Sequence, residues 1–394
     1  MKILFITSYY KPAYTYGGPT KSISALCEGL SLIGAEVTVF TTNANGRDAL
    51  DVPFSKPVYV DGVEVWYFPR ERSRWTPEFY SAELARACAS EVRKFDIVYV
   101  CATWTHPMAA ASKCSRQLGI PYVVSPRGSF MALAMSQKWL KKRAYLRLFE
   151  RKRVDCAAGI HCTSSLEAEQ TQRFGFKPPI FIVPNSVDLP LPGPRRDRLR
   201  IRAELGVPEN GTLSLCVGRK HVEKRLDLVI AAFAEVALGL TSARLALVGP
   251  DYGAEMKLRQ LAHRLKVSDK VIFVGLLQSD QMQDLYSAAD VLLMLSRRES
   301  FGLSALEALA AGVPVLLSKD VGLADEVGAA GVGRVLPRPI FREVHQVWHE
   351  MLLDPGLKDM GLHGRSFAAN HFSRRSVAER MLKALQGFHA KTLE

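Results

Sequence analysis

One rhythm runs along most of this 394-residue chain: a short apolar run, a stretch of helical spacing, another apolar run. Runs at 2–7, 36–41, 63–68, 97–101, 122–125, 159–162 and 180–183 are almost continuously apolar. Between them, 20–33, 80–94, 107–118, 136–153 and 165–174 carry helical spacing. Strands that do not alternate polar with apolar side chains are buried on both faces, and the intervening helices supply the cover. The expectation is an α/β chain on parallel sheets. The rhythm stops at 184–197, where four prolines fall in a stretch with little apolar periodicity, the composition of a linker. It restarts with strands at 213–217, 243–248, 271–274, 291–295, 313–317 and 333–336, and helices at 227–237, 255–265, 279–288, 303–311 and 374–388. A chain of this length holds two domains of ordinary size, expected here at 1–188 and 195–373.

Composition narrows the class. Hydrophobic residues make up 48% and charged residues 23%, the balance of a soluble globular enzyme. No apolar run approaches the ~20 residues that span a bilayer. The N-terminal run is too short for a secretory leader and meets Lys11-Pro12, so it reads as a first buried strand. Seven scattered cysteines without a C-x-x-C pair point to free thiols in a reducing, cytoplasmic compartment, and away from structural zinc. The net charge is +13, and its densest stretch is 138–153, with eight basic residues against Glu150. Trp139, Leu140, Tyr145, Leu146, Leu148 and Phe149 are interleaved there. This is a basic amphipathic helix. It serves either an anionic membrane face or acceptor, or else a solvated face over a core stripe. A nucleic-acid site is a third reading, but no recognisable motif accompanies it.

The chemistry gathers around Glu299 and Glu307. Glu299 follows the apolar run 291–295, on the loop at a strand's C-terminal edge. Helical spacing begins after Gly302, and Gly312 and Pro314 stop it, which puts Glu307 inside the helix. Eight helical steps would separate the carboxylates by roughly 12 Å along the axis, about the span of a nucleotide sugar from hexose to ribose. Between them, the amides of Phe301, Gly302 and Leu303 open a helix N-terminus, where a phosphate is favoured.

With Ser300-Phe301-Gly302-Leu303 inside Glu-x7-Glu and Ala310-Ala311-Gly312-Val313-Pro314-Val315 after it, the stretch resembles the donor site of retaining glycosyltransferases of family 4. The resemblance covers nearly the whole chain. It implies the GT-B fold, in which two Rossmann-like domains face each other across a cleft and the C-terminal helix, about 374–394, crosses back to the first. Pro-Asn-Ser-Val-Asp at 184–188 departs from the family's usual glycine at Ser186. Gly17-Gly18 before Pro19 matches the family loop that faces the donor pyrophosphate, and lacks the G-x-G-x-x-G of a nicotinamide site. Gly218-Arg219 and then Lys224 match the family's cation pair, which would stabilise the charge growing on a leaving diphosphate. The alternative is surface charge, although cations at a helix start oppose the helix dipole. Residues 275–277, Leu276 among them, become base-pocket candidates, or simply a strand-to-loop turn. On the acceptor side Tyr99 and Cys101 stand where many relatives carry His-x-His, so no catalytic histidine is carried over to His106. Arg127, His161 and Thr163 follow strand ends, the ligand edge of an open parallel sheet, and His106 joins them as acceptor-side candidates.

The resemblance implies a hexose moved from a UDP- or GDP-sugar to a hydroxyl of a glycan or lipid-linked acceptor, with retention and without a metal ion or further cofactor. Bacterial polysaccharide or lipopolysaccharide assembly is the usual setting. A nucleotide-sugar epimerase of the same fold is an alternative. So is a non-enzymatic membrane or nucleic-acid module using 138–153. A phosphorylase would need a cofactor lysine and a longer chain.

Overall fold

A computed structural model describes the chain except residues 74, 75, 77, 78, 137, 138, 190–196 and 394 and the side chains of 392 and 393. It divides into two compact units, Met1–Ser186 with Arg374–Glu394, and Val187–Ser373. Half of the expected linker, 190–196, lies outside the described residues.

In the first unit the strands are β1 Lys2–Ile6, β2 Glu36–Thr42, β3 Ala44–Asn45, β4 Asp48–Ala49, β5 Pro57–Val60, β6 Val63–Phe68, β7 Ile97–Cys101, β8 Tyr122–Ser125, β9 Gly159–Cys162 and β10 Ile180–Ile182. Eight of them form one sheet in the order β10-β9-β8-β7-β1-β2-β6-β5. Pairing is parallel except at the edge, where β5 runs antiparallel to β6. That strand departs from the all-parallel expectation. It leads into β6 through a tight turn at Asp61-Gly62 and needs no crossover helix. β3 and β4 pair as a small separate hairpin. β7, β8 and β9 are buried at every position and β1 at all but Lys2, as strands covered on both faces must be.

The second unit holds β11 Leu213–Val217, β12 Arg244–Val248, β13 Val271–Val274, β14 Val291–Met294, β15 Val315–Ser318 and β16 Gly333–Leu336, in the order β13-β12-β11-β14-β15-β16 and all parallel. β15 begins two residues later than the spacing suggests, because Val313 still caps the preceding helix by donating to the Ala308 carbonyl at 2.9 Å. Helices at Phe341–Leu353 and Leu357–Phe372 complete the unit. The expected single helix over 136–153 is instead a series, Ala132–Ser136, Trp139–Tyr145, a π turn at Leu146–Glu150 and Arg151–Asp155.

Both strand orders contain a switch point, where the chain stops adding strands on one side and starts on the other. It lies between β1 and β7 in the first unit and between β11 and β14 in the second. Loops leaving the carboxyl ends of such a strand pair splay apart and leave a crevice for ligands.

Candidate active site

In the second unit that crevice is bounded by the loops after β11 and β14. Lys224 lies on the first, at the end of a 3₁₀ turn Val222–Lys224, and Glu299 lies on the second. Their side chains form an ion pair, Nζ to Oε2, across the switch point. The loop after β11 also presses closely on the end of β12. Gly218 has φ +145° and Gly249 has φ +130°, and a Cβ on Gly249 would collide with the Gly218 carbonyl. Arg219 is exposed on the same loop, and its guanidinium lies over the Tyr252 ring, 5.2 Å from the centroid. Lys224 does not begin a long helix: Arg225, at φ +52°, separates it from the helix Leu226–Gly239. The dipole argument against a cation there therefore applies less directly than the spacing suggests.

Glu299 is pinned through its backbone. Its N–H donates to the Asp320 carbonyl at 3.0 Å, and its carbonyl accepts from Gly322 at 2.9 Å. Three residues on, Gly302 caps the helix Leu303–Ala310 at φ +103°, and a Cβ there would lie 2.7 Å from Val321 Cγ1. Only glycine fits. Phe301 is buried beneath the loop, with its ring 6.1 Å from that of Phe372, while Ser300 and Leu303 stay partly exposed. The amides of Leu303 and Ser304 open the helix and have no intrahelical acceptor. Ser304 Oγ donates to the Val217 carbonyl at 3.2 Å, tying the helix start to the end of β11. One turn along, Glu307 accepts from the Tyr286 hydroxyl at 2.9 Å. Burial and the Glu307 carboxylate hold the Tyr286 phenol well above its ordinary range, so it remains a donor. Glu299 and Glu307 thus sit on different elements, a loop and a helix, and the all-helical spacing does not describe them.

Leu276 is exposed on the loop after β13. Its approach is set by Lys220, which motif spacing does not single out. Lys220 is 2% exposed; its ammonium donates to the Gly249 carbonyl and to the Val274 carbonyl at 2.8 Å, and pairs with Glu255 at 3.2 Å. One buried cation thereby fixes three strand ends. A lysine beside an arginine gives no sign of this in the sequence.

In the first unit, Gly17 has φ +68°, capping the 3₁₀ turn Tyr14–Tyr16 and preceding the helix Gly18–Leu32 with Pro19 in its first turn. Gly18 has no such constraint: a Cβ there would meet nothing within 4 Å. Its side is left open rather than closed by packing. Arg127, at φ +51°, donates to Asn185 Oδ1 at 2.8 Å and to the Tyr99 hydroxyl at 3.4 Å. Tyr99 in turn bonds His161 Nδ1, and His161 Nε2 lies 2.7 Å from the Val183 carbonyl. That carbonyl can only accept, so Nε2 carries the proton and Tyr99 donates to Nδ1. Burial, reinforced by the Arg127 charge, lowers the His161 pKa to about 3. Thr163 is also buried; its hydroxyl and amide both donate to Glu167 Oε2 at 2.8 Å, while Gly128 donates to Oε1 of the same carboxylate. Arg127, His161 and Thr163 are thus one locked set behind the strand ends. His106 stands elsewhere. It opens the helix His106–Leu118, accepts from the Ser81 amide at 3.3 Å, and its ring lies 4.4 Å from that of Tyr80.

Residues 17–186 match the glycosyl transferase 4-like domain, and residues 197–359 match glycosyl transferases group 1. An uncharacterized glycosyltransferase of Methanocaldococcus jannaschii is 29% identical over 82% of each chain. A D-inositol 3-phosphate glycosyltransferase of Streptomyces bingchenggensis is 32% identical over 57% of this chain, a match spanning only 51% of that relative. Among solved structures, the sucrose-phosphate synthase of Thermosynechococcus elongatus shares the fold with a TM-score of 0.79 at 22% identity, over 99% of this chain and 100% of that one. Anabaena HepE in complex with UDP-glucose does so at 0.76 and 18%, over 98% and 100%.

Proposed function

We propose that this chain, which belongs to the group 1 glycosyl transferases and carries a glycosyl transferase 4-like domain ahead of that region, moves a hexose from a nucleoside-diphosphate sugar to a hydroxyl of a glycan or lipid-linked acceptor. It is a glycosyltransferase of the GT-B type. The observation that carries the finer reading is the Lys224–Glu299 pair across the β11/β14 switch point, with Arg219 on the same loop.

In this reading the bond from the anomeric carbon to the diphosphate oxygen breaks, and its electron pair stays on the diphosphate. Arg219 and Lys224 meet that growing charge, and the amides at Phe301–Leu303 with their helix dipole assist. Fixed donors and cations in a site sheltered from water stabilise the departing group without reorganisation. The acceptor oxygen bonds the anomeric carbon on the face the diphosphate leaves, which retains configuration. Its proton passes to a departing phosphate oxygen, so no protein base is needed. Glu299 orients Lys224 and accepts from hexose hydroxyls; Glu307, held by Tyr286, accepts from ribose hydroxyls. Leu276, exposed on the loop after β13, borders the base. The two cations take the place a divalent ion would otherwise fill. The UDP-glucose complex of HepE favours a uridine donor, with GDP-sugars the competing class. The free thiols suit the cytoplasm, and polysaccharide or lipopolysaccharide assembly is the setting proposed.

A screen of UDP- and GDP-sugars by thermal shift and slow hydrolysis identifies the donor. Arg219→Ala and Lys224→Ala should each lower kcat by about 10²–10³ while weakening ground-state donor binding far less. Unchanged turnover in both variants would sink the assignment. Interconversion of sugars without any acceptor would identify an epimerase instead.

A further inference from the structure

The segment from Trp139 turns outward the side chains a core helix would turn inward. Trp139, Leu140, Leu148 and Phe149 are 53, 66, 70 and 50% exposed. Leu140, Ala144 and Leu148 recur every four residues, and all three are exposed. Such spacing lines one helix face. The opposite face is anchored: Leu146 and Glu150 are buried, and Glu150 accepts from the Trp104 amide at 2.8 Å and pairs with Arg153 at 2.8 Å. The π turn at Leu146–Glu150 takes up one residue more than an α turn, and both Leu148 and Phe149 in it face outward. A solvated basic face over a core stripe is therefore not what this helix presents.

Charge surrounds the outward stripe. Lys141, Arg143, Arg147 and Lys152 are exposed and make no ion pair among the described residues. We propose that this face docks on an anionic lipid surface, the apolar side chains entering the headgroup boundary and the four cations facing lipid phosphates. The pairing is the one an interfacial helix requires: a stripe too short to span, flanked by uncompensated positive charge. No helix among the described residues is long and apolar enough to cross a membrane, so the contact is peripheral. A soluble polyanion would be met by the cations alone and would leave four large apolar side chains in water. The inference concerns where the protein works and does not depend on the donor-site roles.

Flotation of the full chain with vesicles of phosphatidylcholine alone, or with phosphatidylglycerol added, tests it. Binding is expected only to the anionic vesicles, with release at high salt. Each cation near such a surface is worth about fivefold in binding, so Arg143→Gln with Arg147→Gln should lower it about 25-fold. Leu140→Ser with Leu148→Ser should lower it at least tenfold. Both pairs lie on the exposed face and should leave thermal unfolding and donor binding unchanged. Absence of phosphatidylglycerol-dependent binding overturns the proposal, as does wild-type binding by both variant pairs. So does binding that the leucine pair leaves intact and heparin competes away, which marks a soluble polyanion. Loss of sugar transfer with vesicle binding intact bears on the donor site and leaves this surface standing.

Discussion

A proton added to His161 would place a second cation beside Arg127 in a site closed to water, with Nδ1 no longer able to accept from Tyr99. Folding therefore resists protonation there. The folded pKa, about 3, lies below the ordinary value of 6.5, so the unfolded chain binds a proton that the folded chain refuses. The contribution to stability is complete above pH ~6.5 and is lost as pH falls, at about 1.4 kcal/mol per pH unit, until the folded pKa is reached. His161→Gln keeps a neutral partner for Tyr99 and Val183. It should destabilise the first unit at neutral pH, and the gap to the wild type should narrow by about that slope between pH ~6.5 and ~5. Urea denaturation across that range checks this; a constant gap would show that His161 does not stay neutral. A group that refuses protons over the working range is also poorly placed for acid–base catalysis, which favours a positioning role. At this scale the chain's motifs singled out Arg219, Lys224, Glu299 and Glu307 as candidates, and the structure brings Lys224 and Glu299 together. Tyr286 beside Glu307, Lys220 among the three strand ends, and Glu167 behind Thr163 were not legible. A buried hydrogen bond depends on which elements meet, and single side chains at irregular spacing leave no period to read.

The helix Leu357–Phe372 escaped the spacing argument because it carries Gly361 and Gly364, residues that normally argue against a helix interior. The structure gives their reason. A Cβ on Gly364 would lie 2.8 Å from Leu309 Cδ2, and one on Gly361 would strike the Gly312 carbonyl. Both glycines let this helix lie against Leu303–Ala310, the element that carries Glu307. Two effects oppose each other in Gly361→Ala. Helix propensity favours alanine by about 1 kcal/mol. The collision is with backbone at the end of a helix, which cannot rotate aside, and overpacking of that kind costs about 1–3 kcal/mol. The expected outcome is net destabilisation of the second unit together with weaker nucleotide binding, read by urea midpoint and thermal shift. Gly387→Ala is the control: it is exposed on the last helix, a Cβ there meets nothing within 4 Å, and it should stabilise by about 0.5–1 kcal/mol. If both variants behave alike, close packing is not why Gly361 is glycine. The helix Phe341–Leu353 was not read from the sequence either, although Val344, Trp348 and Met351 recur at helical spacing and are all buried. The edge strand β5 carried no legible signal: its side chains alternate between exposed and partly exposed, and it pairs only with the neighbour its turn delivers.

The first unit is not finished by its own first 186 residues. Its core takes Val377, Ala378, Met381 and Leu385 from the last helix, Arg374–Leu393, packed with Ile3, Phe5 and Ile23. Gly29 makes room for the helix start, since a Cβ there would lie 2.9 Å from Arg374 Cγ, and Gly159 makes room for the Phe388 ring. Glu28, buried in the helix Gly18–Leu32, accepts from Arg374 at 2.7 Å and also pairs with Lys11, so one carboxylate joins the loop after β1 to the chain's far end. Helical spacing alone made 374–388 a helix; its destination came only from the family resemblance, because no local pattern says which surface a helix will cover. Fully burying a side chain such as Val, Met or Leu stabilises by about 1.5–3 kcal/mol, so losing three of them rivals the 5–15 kcal/mol by which a domain is stable. Ending the chain after Ser373 should therefore unfold the first unit. The graded form of the test is Leu385→Ala, expected to cost about 2–5 kcal/mol. A chain of two units need not unfold in one step, so the measurement must resolve them. Hydrogen exchange by segment does so: protection should fall in β1, β2 and β7 and stay unchanged in β11, β14 and around Trp348. Equal loss in both sets would mean that the last helix does not belong to the first unit's core alone.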